Sequence, residues 1–422
     1  CGSAARPPQN RKGDLVPSQI FPAWPPAIDP LAVAALSLLG AIIIGELFAR
    51  FLSLPRITGY SLTGLVCGPA LLGWISVHEL AGLRLLIDLV LAMLLFEIGI
   101  RVNLRWLRHN PLVLVSGLLE SLLAFVAVFL VVHYLGYTLE TGLVAATVGM
   151  ATSPAVVMAM IGQIKARGQV TNRLLMLTAL NVTLTVLTAH AVLGFIHHSY
   201  GNDWITTICH PLYQLSGSLL VAYLLAKSFY WLRRCFDPAR EQSALMLFIF
   251  LALAMTLLQA LKLPALLAPL LAGIIVKHSD PRPHLWPQHF GSVGGVMVIL
   301  LFVIIGASLN WRSLQTGVWI ALLLIAARGG AQLIGVLLTG KPSGLSLRQS
   351  LALGISLAPM SGVAFVLAAD IGQIFPALND ELEPVVMGMI FILEILGPIL
   401  MQRSLRWIDE AQSTRQPWKP GG

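Results

Sequence analysis

Residues 151–156 read ATSPAV and residues 358–363 read APMSGV. Each sets a proline beside small polar residues in the middle of a long apolar run, 139–164 and 346–374. A proline there removes one backbone donor and breaks the helix. The freed N–H and C=O groups, with the ends of the half-helix dipoles, then point at one place inside the membrane. One such break reads as a proline kink. Two breaks at matching positions read as a pair of crossing helices around an ion or substrate site, a design common in secondary transporters.

The surrounding composition makes this a membrane chain. Of 422 residues, 57% are hydrophobic and 11% are charged, and the mean hydropathy is +0.81. Soluble domains carry about a quarter charged residues. Apolar runs of about 20 residues recur without period-two alternation, which predicts spanning helices and an all-α membrane fold. The net charge of +8 then reflects basic loops and implies no nucleic-acid partner. Cysteines 1, 67, 209 and 235 show neither metal nor disulfide spacing.

Thirteen spans are expected, at 30–53, 57–76, 80–100, 111–135, 139–164, 171–196, 204–231, 241–260, 262–277, 288–309, 315–340, 346–374 and 384–402. Placing the N-terminus outside puts 20 Lys and Arg residues on the cytoplasmic side and six outside, with Arg328 inside a span. That asymmetry is what the positive-inside rule demands, so the chain reads as a multi-pass plasma (inner) membrane protein, N-out and C-in. Residues 1–29 are Pro-rich and read as a flexible extracytoplasmic tail. Residues 30–402 form the transmembrane transporter domain, and 403–422 a short cytoplasmic tail. Cys1 reads either as a processed, lipidated terminus or as the start of a truncated chain.

An internal repeat supports the pairing of the two broken spans. LLFEIGIRVNLRWL (94–107) resembles LLFVIIGASLNWRS (300–313), at the ends of spans 3 and 10. If spans 1–6 repeat as 8–13, span 7 is a linker. Span n and span n+7 then enter from opposite sides, so the repeat is inverted.

Ionisable groups inside the spans are functional candidates. Arg328 lies near the middle of span 11 and cannot shed its proton, so it must find a partner. Glu120 (span 4) and Glu394 (span 13) rank first among the carboxylates. Asp88 and Glu97 share span 3, roughly 13 Å apart along its axis. Glu46 is expected to pair with Arg50 one turn away, His190 to serve packing, and Asp370 to be wetted.

Several stretches carry a family resemblance. PRITGYSLTGLVCGPALLGW (55–74) resembles the PxxxGYxxxGxxxGPxxLG signature of the monovalent cation:proton antiporter-2 family. LLFEIGIRVNL (94–104), ALLAPLLAGIIVKHSD (265–280) and LLFVIIGASLNW (300–311) are similar to its other motifs. ATSPAVV (151–157) and SGVAFVLAA (361–369) are similar to its broken helices. The resemblance covers about residues 30–402. It implies a panel domain that dimerises, a mobile core domain, and exchange of sodium or potassium for protons by an elevator-like movement. It also implies a transport core of Thr152, Ser153, Pro154, Asn181, Arg328, Pro359, Ser361 and Gly362. Two family acids are missing. The span-6 aspartate falls at Val182, after Asn181, in TALNVTLTVLTAH (178–190), and the span-12 glutamate falls at Gly362.

Antiport needs a group that holds either a proton or a cation, and a carboxylate does this because protonation removes its charge. Residues 171–200 contain neither Asp nor Glu. Three readings follow. The first keeps cation:proton antiport, with Glu120, Glu394, Glu97 or Asp88 as the relocated acid and Arg328 neutralising a core carboxylate. The second is transport of another solute, such as a small organic anion drawn by Arg328. The third is a non-transporting sensor or partner subunit. The first is taken here. The expected partners are the lipid bilayer, protons, monovalent cations and a second copy of the chain. No cofactor, metal site or enzymatic motif is expected.

Overall fold

The computed structural model describes residues 30–199, 204–236, 240–279, 291–309, 311–360 and 362–411. The readings made for 1–29, for the end of the chain after residue 411, and for Ser361 lie outside them. Among the described residues every regular element is a helix. In order these are α1 (Pro30–Leu47), α2 (Arg56–Cys67), α3 (Val77–Gly82), α4 (Arg84–Arg101), α5 (Leu104–His109) and α6 (Pro111–Tyr134). They are followed by α7 (Leu139–Met150), α8 (Pro154–Ile164), α9 (Gln169–Ser199), α10 (Trp204–Phe236), α11 (Arg240–Ala260) and α12 (Leu267–Ser279). The last five are α13 (Gly291–Ser308), α14 (Trp311–Gly340), α15 (Leu347–Ser356), α16 (Gly362–Ile374) and α17 (Pro376–Trp407).

Among the described residues, eight helical stretches are long and apolar enough to cross a membrane. Three apolar helices are shorter: Leu267–Ser279, Gly294–Ser308 and Gly362–Ile374. Span boundaries differ from expectation where proline decides. The second run stops at Cys67 and continues as turns, because Gly68-Pro69 follows and a residue before proline avoids the α region. The ninth begins at Leu267 and not 262, after Lys262 in a left-handed conformation and Pro264. At the other end of the chain, α17 runs on through Trp407. Glu410 then docks on the start of α9, its carboxylate accepting the Val170 and Thr171 N–H groups and the Thr171 hydroxyl at 2.7–2.8 Å. An acidic group at a helix N-terminus satisfies donors that have no partner within the helix.

The helices form two groups. In one, α6 lies along α14, α7, α9, α15 and α17 pack around that pair, and α16 packs on α17 and α7. In the other, α2 lies along α13, α4 along α12, and α1 and α10 against these. Signature glycines explain two of the close contacts. A Cβ on Gly64 would overlap the Val303 carbonyl, and one on Gly306 the Ser61 carbonyl. Likewise Gly99 meets the Leu270 carbonyl and Gly273 the Phe96 carbonyl. Small residues let helix backbones approach this closely, and dispersion contacts along the seam then hold the pair.

Candidate functional site

The site forms where the two broken helices meet. α7 ends at Met150, the chain runs extended through Ala151–Ser153, and α8 starts at Pro154. Ser153 caps α8, its Oγ accepting the Val156 N–H at 3.3 Å. Proline at the first helical position loses no bond, because that donor has no helical partner. α15 ends at Ser356, and α16 starts at Gly362. The two breaks touch directly. The Ser153 N–H donates to the Pro359 carbonyl at 2.9 Å, and the Thr152 hydroxyl donates to the Leu357 carbonyl at 3.3 Å.

Arg328 enters from α14 and is 1% exposed. Its Nε donates to the Gly149 carbonyl at 2.7 Å, and its Nη1 to the Ala358 carbonyl at 3.0 Å. Its Nη2 donates to the Ala151 and Leu357 carbonyls at 2.8 and 3.3 Å. One guanidinium thus serves the free carbonyls at the C-terminal ends of both half-helices, α7 and α15. Those ends carry the negative pole of the helix dipole, so a cation belongs there. The planar fork of five donors reaches four carbonyls on two broken helices, which a lysine ammonium could not do. The guanidinium's hydrogen bonds thus go to carbonyls, while its charge faces Glu120 through space.

Asn181 ties α9 to the break. Its Nδ2 donates to Thr152 Oγ1 at 3.0 Å, and its Oδ1 accepts from Ser121 Oγ of α6 at 2.7 Å. Glu120, beside Ser121, is fully buried and is faced by Asn181, Arg328, Ser121 and Gln332. Its Oε1 lies 3.4 Å from Ser121 Oγ. Its Oε2 and both amide heteroatoms of Gln332 are buried without a hydrogen-bond partner. Glu120, Ser121, Asn181, Thr152, Ser153, Arg328 and Pro359 therefore form one buried polar cluster around the crossing.

The other candidate acids stand elsewhere. Glu394 on α17 is buried and accepts from Ser61 Oγ of α2 at 2.8 Å, on the seam between the two helix groups. Glu97 pairs with Arg101 at 2.8 Å. It lines a cavity of about 290 Å³ that opens between α2, α4, α8 and α13, with Arg56, Tyr60 and Gln163 also on its wall. Asp88 is buried near the opposite end of α4. Glu46 bonds both Arg50 and Arg56. At the missing family acids the apolar replacement is built in. Val182 is fully buried, and a Cβ on Gly362 would meet Leu91 of α4 and Ile305 of α13.

Sequence reading missed Ser121 and Gln332. Gln332 lies one turn beyond Arg328 in an otherwise apolar run, and that i, i+4 spacing puts both on one helix face. Ser121 gave no signal of its own. Among the described residues no three His, Cys, Asp or Glu side chains gather as metal ligands.

Residues 34–407 match the family described as "Sodium/hydrogen exchanger, transmembrane". No curated protein matches the chain. Two solved structures of the sodium proton antiporter MjNhaP1 from Methanocaldococcus jannaschii share its fold. The one at pH 8 is 19% identical with a TM-score of 0.66, covering 90% of this chain and 96% of that one. The electron-microscopy structure is 20% identical with a TM-score of 0.67, covering 93% and 100%. The chain belongs to the transmembrane sodium/hydrogen exchanger family, whose members are membrane transporters and not enzymes.

Proposed function

We propose that the protein exchanges a monovalent cation, Na⁺ or K⁺, for protons by alternating access, with Glu120 as the carboxylate that holds proton and cation in turn. One observation carries this reading. Glu120 is the candidate acid that the crossing reaches, through Ser121, Asn181 and Thr152. The oxygens of Thr152 and Asn181 are neutral ligands suited to a hard, singly charged cation. The ionised carboxylate holds the cation, and protonation releases it because the charge is gone. Arg328 holds the crossing together, and Ser153, Pro154, Pro359 and Gly362 shape the breaks. Ser361 is placed with them by sequence.

The wider reading has thirteen crossings in an inverted repeat, N-terminus outside and C-terminus in the cytoplasm, in an inner membrane and as a homodimer. Helix pairings support the repeat. Spans 2 and 10 pack as α2 and α13, and their repeat images, spans 9 and 3, pack as α12 and α4. The cation reading is favoured over an organic anion, because the Arg328 donors that would bind an anion are engaged by four carbonyls.

The test is proton movement in proteoliposomes, followed with an internal pH dye after adding Na⁺, K⁺ or small carboxylates outside. The natural chain is expected to move protons in response to a cation, and Glu120→Gln to lose roughly tenfold or more of that flux while still inserting. Glu394→Gln is expected to retain it. Unchanged flux in Glu120→Gln overturns the assignment. A response to carboxylates alone points to the anion transporter, and silence throughout to the sensor or partner subunit.

A further inference from the structure

The two ends of the seam between the helix groups differ. At the end bearing Arg56, Arg101 and Lys165, a cavity opens between α8 and α2, α4 and α13, bridged by the Arg56 N–H donating to Gln163 Oε1 at 3.2 Å. At the opposite end an ion pair joins the groups. Arg84, at the start of α4, forms an ion pair with Asp370 near the end of α16. The same Nη2 also donates to the Val366 carbonyl at 3.4 Å. α16 leads straight out of the crossing, so this pair ties the site-bearing group to the other at the end away from the cavity.

Asp88 lies four residues after Arg84 on α4, on the same helix face. It is 6% exposed, and its Oδ1 is buried without a hydrogen-bond partner. A buried carboxylate oxygen left without a donor costs free energy, so its position beside a guanidinium engaged elsewhere needs a reason. The ion pair with Asp370 must break for that end to open. Arg84 would then be left without a carboxylate, unless it turned back one helical turn to Asp88.

We propose that Arg84 is a gate that exchanges carboxylates: it holds Asp370 across the seam while the cavity end is open, and Asp88 of its own helix when the opposite end opens. Each end state then contains one Arg84–carboxylate pair, so the two lie close in energy and the gate does not trap either. Arg84 and Asp370 are partly exposed, with side-chain exposures of 26% and 51%, so the pair biases the equilibrium modestly. Asp370, once released, remains at the mouth as a free carboxylate facing incoming cations. The proposal rests on the alternating-access reading above.

The test uses the full chain with Cys1, Cys67, Cys209 and Cys235 replaced by serine or alanine and with Ala159→Cys on the cavity wall. Labelling by a water-soluble thiol reagent reports how long the cavity end is open. Asp370→Asn is expected to slow labelling about threefold, because Arg84 transfers to Asp88 and the opposite end opens. Asp88→Asn is expected to leave labelling as fast or faster, because only the Asp370 pair remains. In an Arg84→Gln background, where neither carboxylate keeps its partner, Asp88→Asn and Asp370→Asn are expected to label alike. With Arg84 present, equal labelling in Asp88→Asn and Asp370→Asn or a shift in the same direction overturns the gate, and so does a difference that persists without Arg84. Proton flux in the same preparations separates the two claims. Flux with labelling indifferent to these variants sinks the gate alone, and the expected labelling pattern without flux sinks the transport reading alone.

Discussion

Arg328 and Glu120 lie on facing helices, α14 and α6, yet the arginine spends its donors on carbonyls. Two broken helices leave several free C=O groups in a dry interior, and a buried carbonyl without a donor is costly. The guanidinium is therefore a structural keystone first, and its charge acts on Glu120 through space. Arg328→Lys is expected to insert but unfold at lower temperature in detergent, since one ammonium cannot serve four carbonyls. Arg328→Met is expected to cost about 3–5 kcal/mol, the range for stripping one partner from a buried charged network. If the acid has moved from position 182 to position 120, the move should be reversible. Glu120→Gln combined with Val182→Asp is expected to recover part of the cation-driven proton flux that Glu120→Gln alone loses. No recovery would argue that Glu120 acts in some way other than as the displaced acid.

Elements pair here through glycine. Gly306 sits against the Ser61 carbonyl and Gly64 against the Val303 carbonyl, so α2 and α13 touch backbone to backbone. Gly306→Ala is expected to push them apart and cost about 1–3 kcal/mol, seen as a lower melting temperature. Because Ser61 also holds Glu394 on α17, the same change should loosen that bond. Outside the spans, α3 is capped by Ser76 and Glu79 in a reciprocal box. Hydrogen bonds from the Ser76 backbone N–H and hydroxyl hold the Glu79 carboxyl below its ordinary range. A depressed folded value means that the cap contributes above the ordinary carboxylate range and is lost as pH falls through the folded value. Exchange protection at the Leu80 and Leu83 amides is expected to drop between about pH 6 and about pH 3, and to stay flat in Glu79→Gln. An equal drop in the variant would assign the effect elsewhere.

Across the whole molecule the two helix groups are tied at several levels of the seam. Arg84 and Asp370 join them at one end, Ser61 and Glu394 in the middle, and the Arg56 N–H reaches Gln163 at the other. A rigid group carrying the crossing can move against its neighbour only by remaking such contacts, which makes them discrete positions and not a continuous slide. The charge distribution sets which end faces the cytoplasm. A reporter fused after Glu410 is expected to be reached only from the cytoplasmic side, beside the basic loops. Extracytoplasmic exposure of that reporter would reverse the orientation and exchange the two ends of the proposed gate.

The sequence by itself determined what is local. Apolar length predicted spanning helices, and α9 at 169–199 lies where 171–196 was expected. Prolines 154 and 359 marked the breaks that meet, and the glycines at 64, 99, 273 and 306, present in the quoted motifs, lie at close contacts that only the structure showed. These features depend on a few neighbouring residues: a missing N–H, an absent Cβ, a run long enough to cross. Tertiary structure alone decided which buried acid reaches the crossing, and where the arginines go. Glu120 and Glu394 look alike in sequence, each a lone acid in an apolar run. One faces Asn181 and Arg328, the other Ser61, because helix rotation and neighbour choice aim them differently. Arg84 and Asp370 lie 286 residues apart, and no local pattern names such a pair. In a membrane interior apolar faces are interchangeable, so the partner of a polar side chain is settled only when the helices dock.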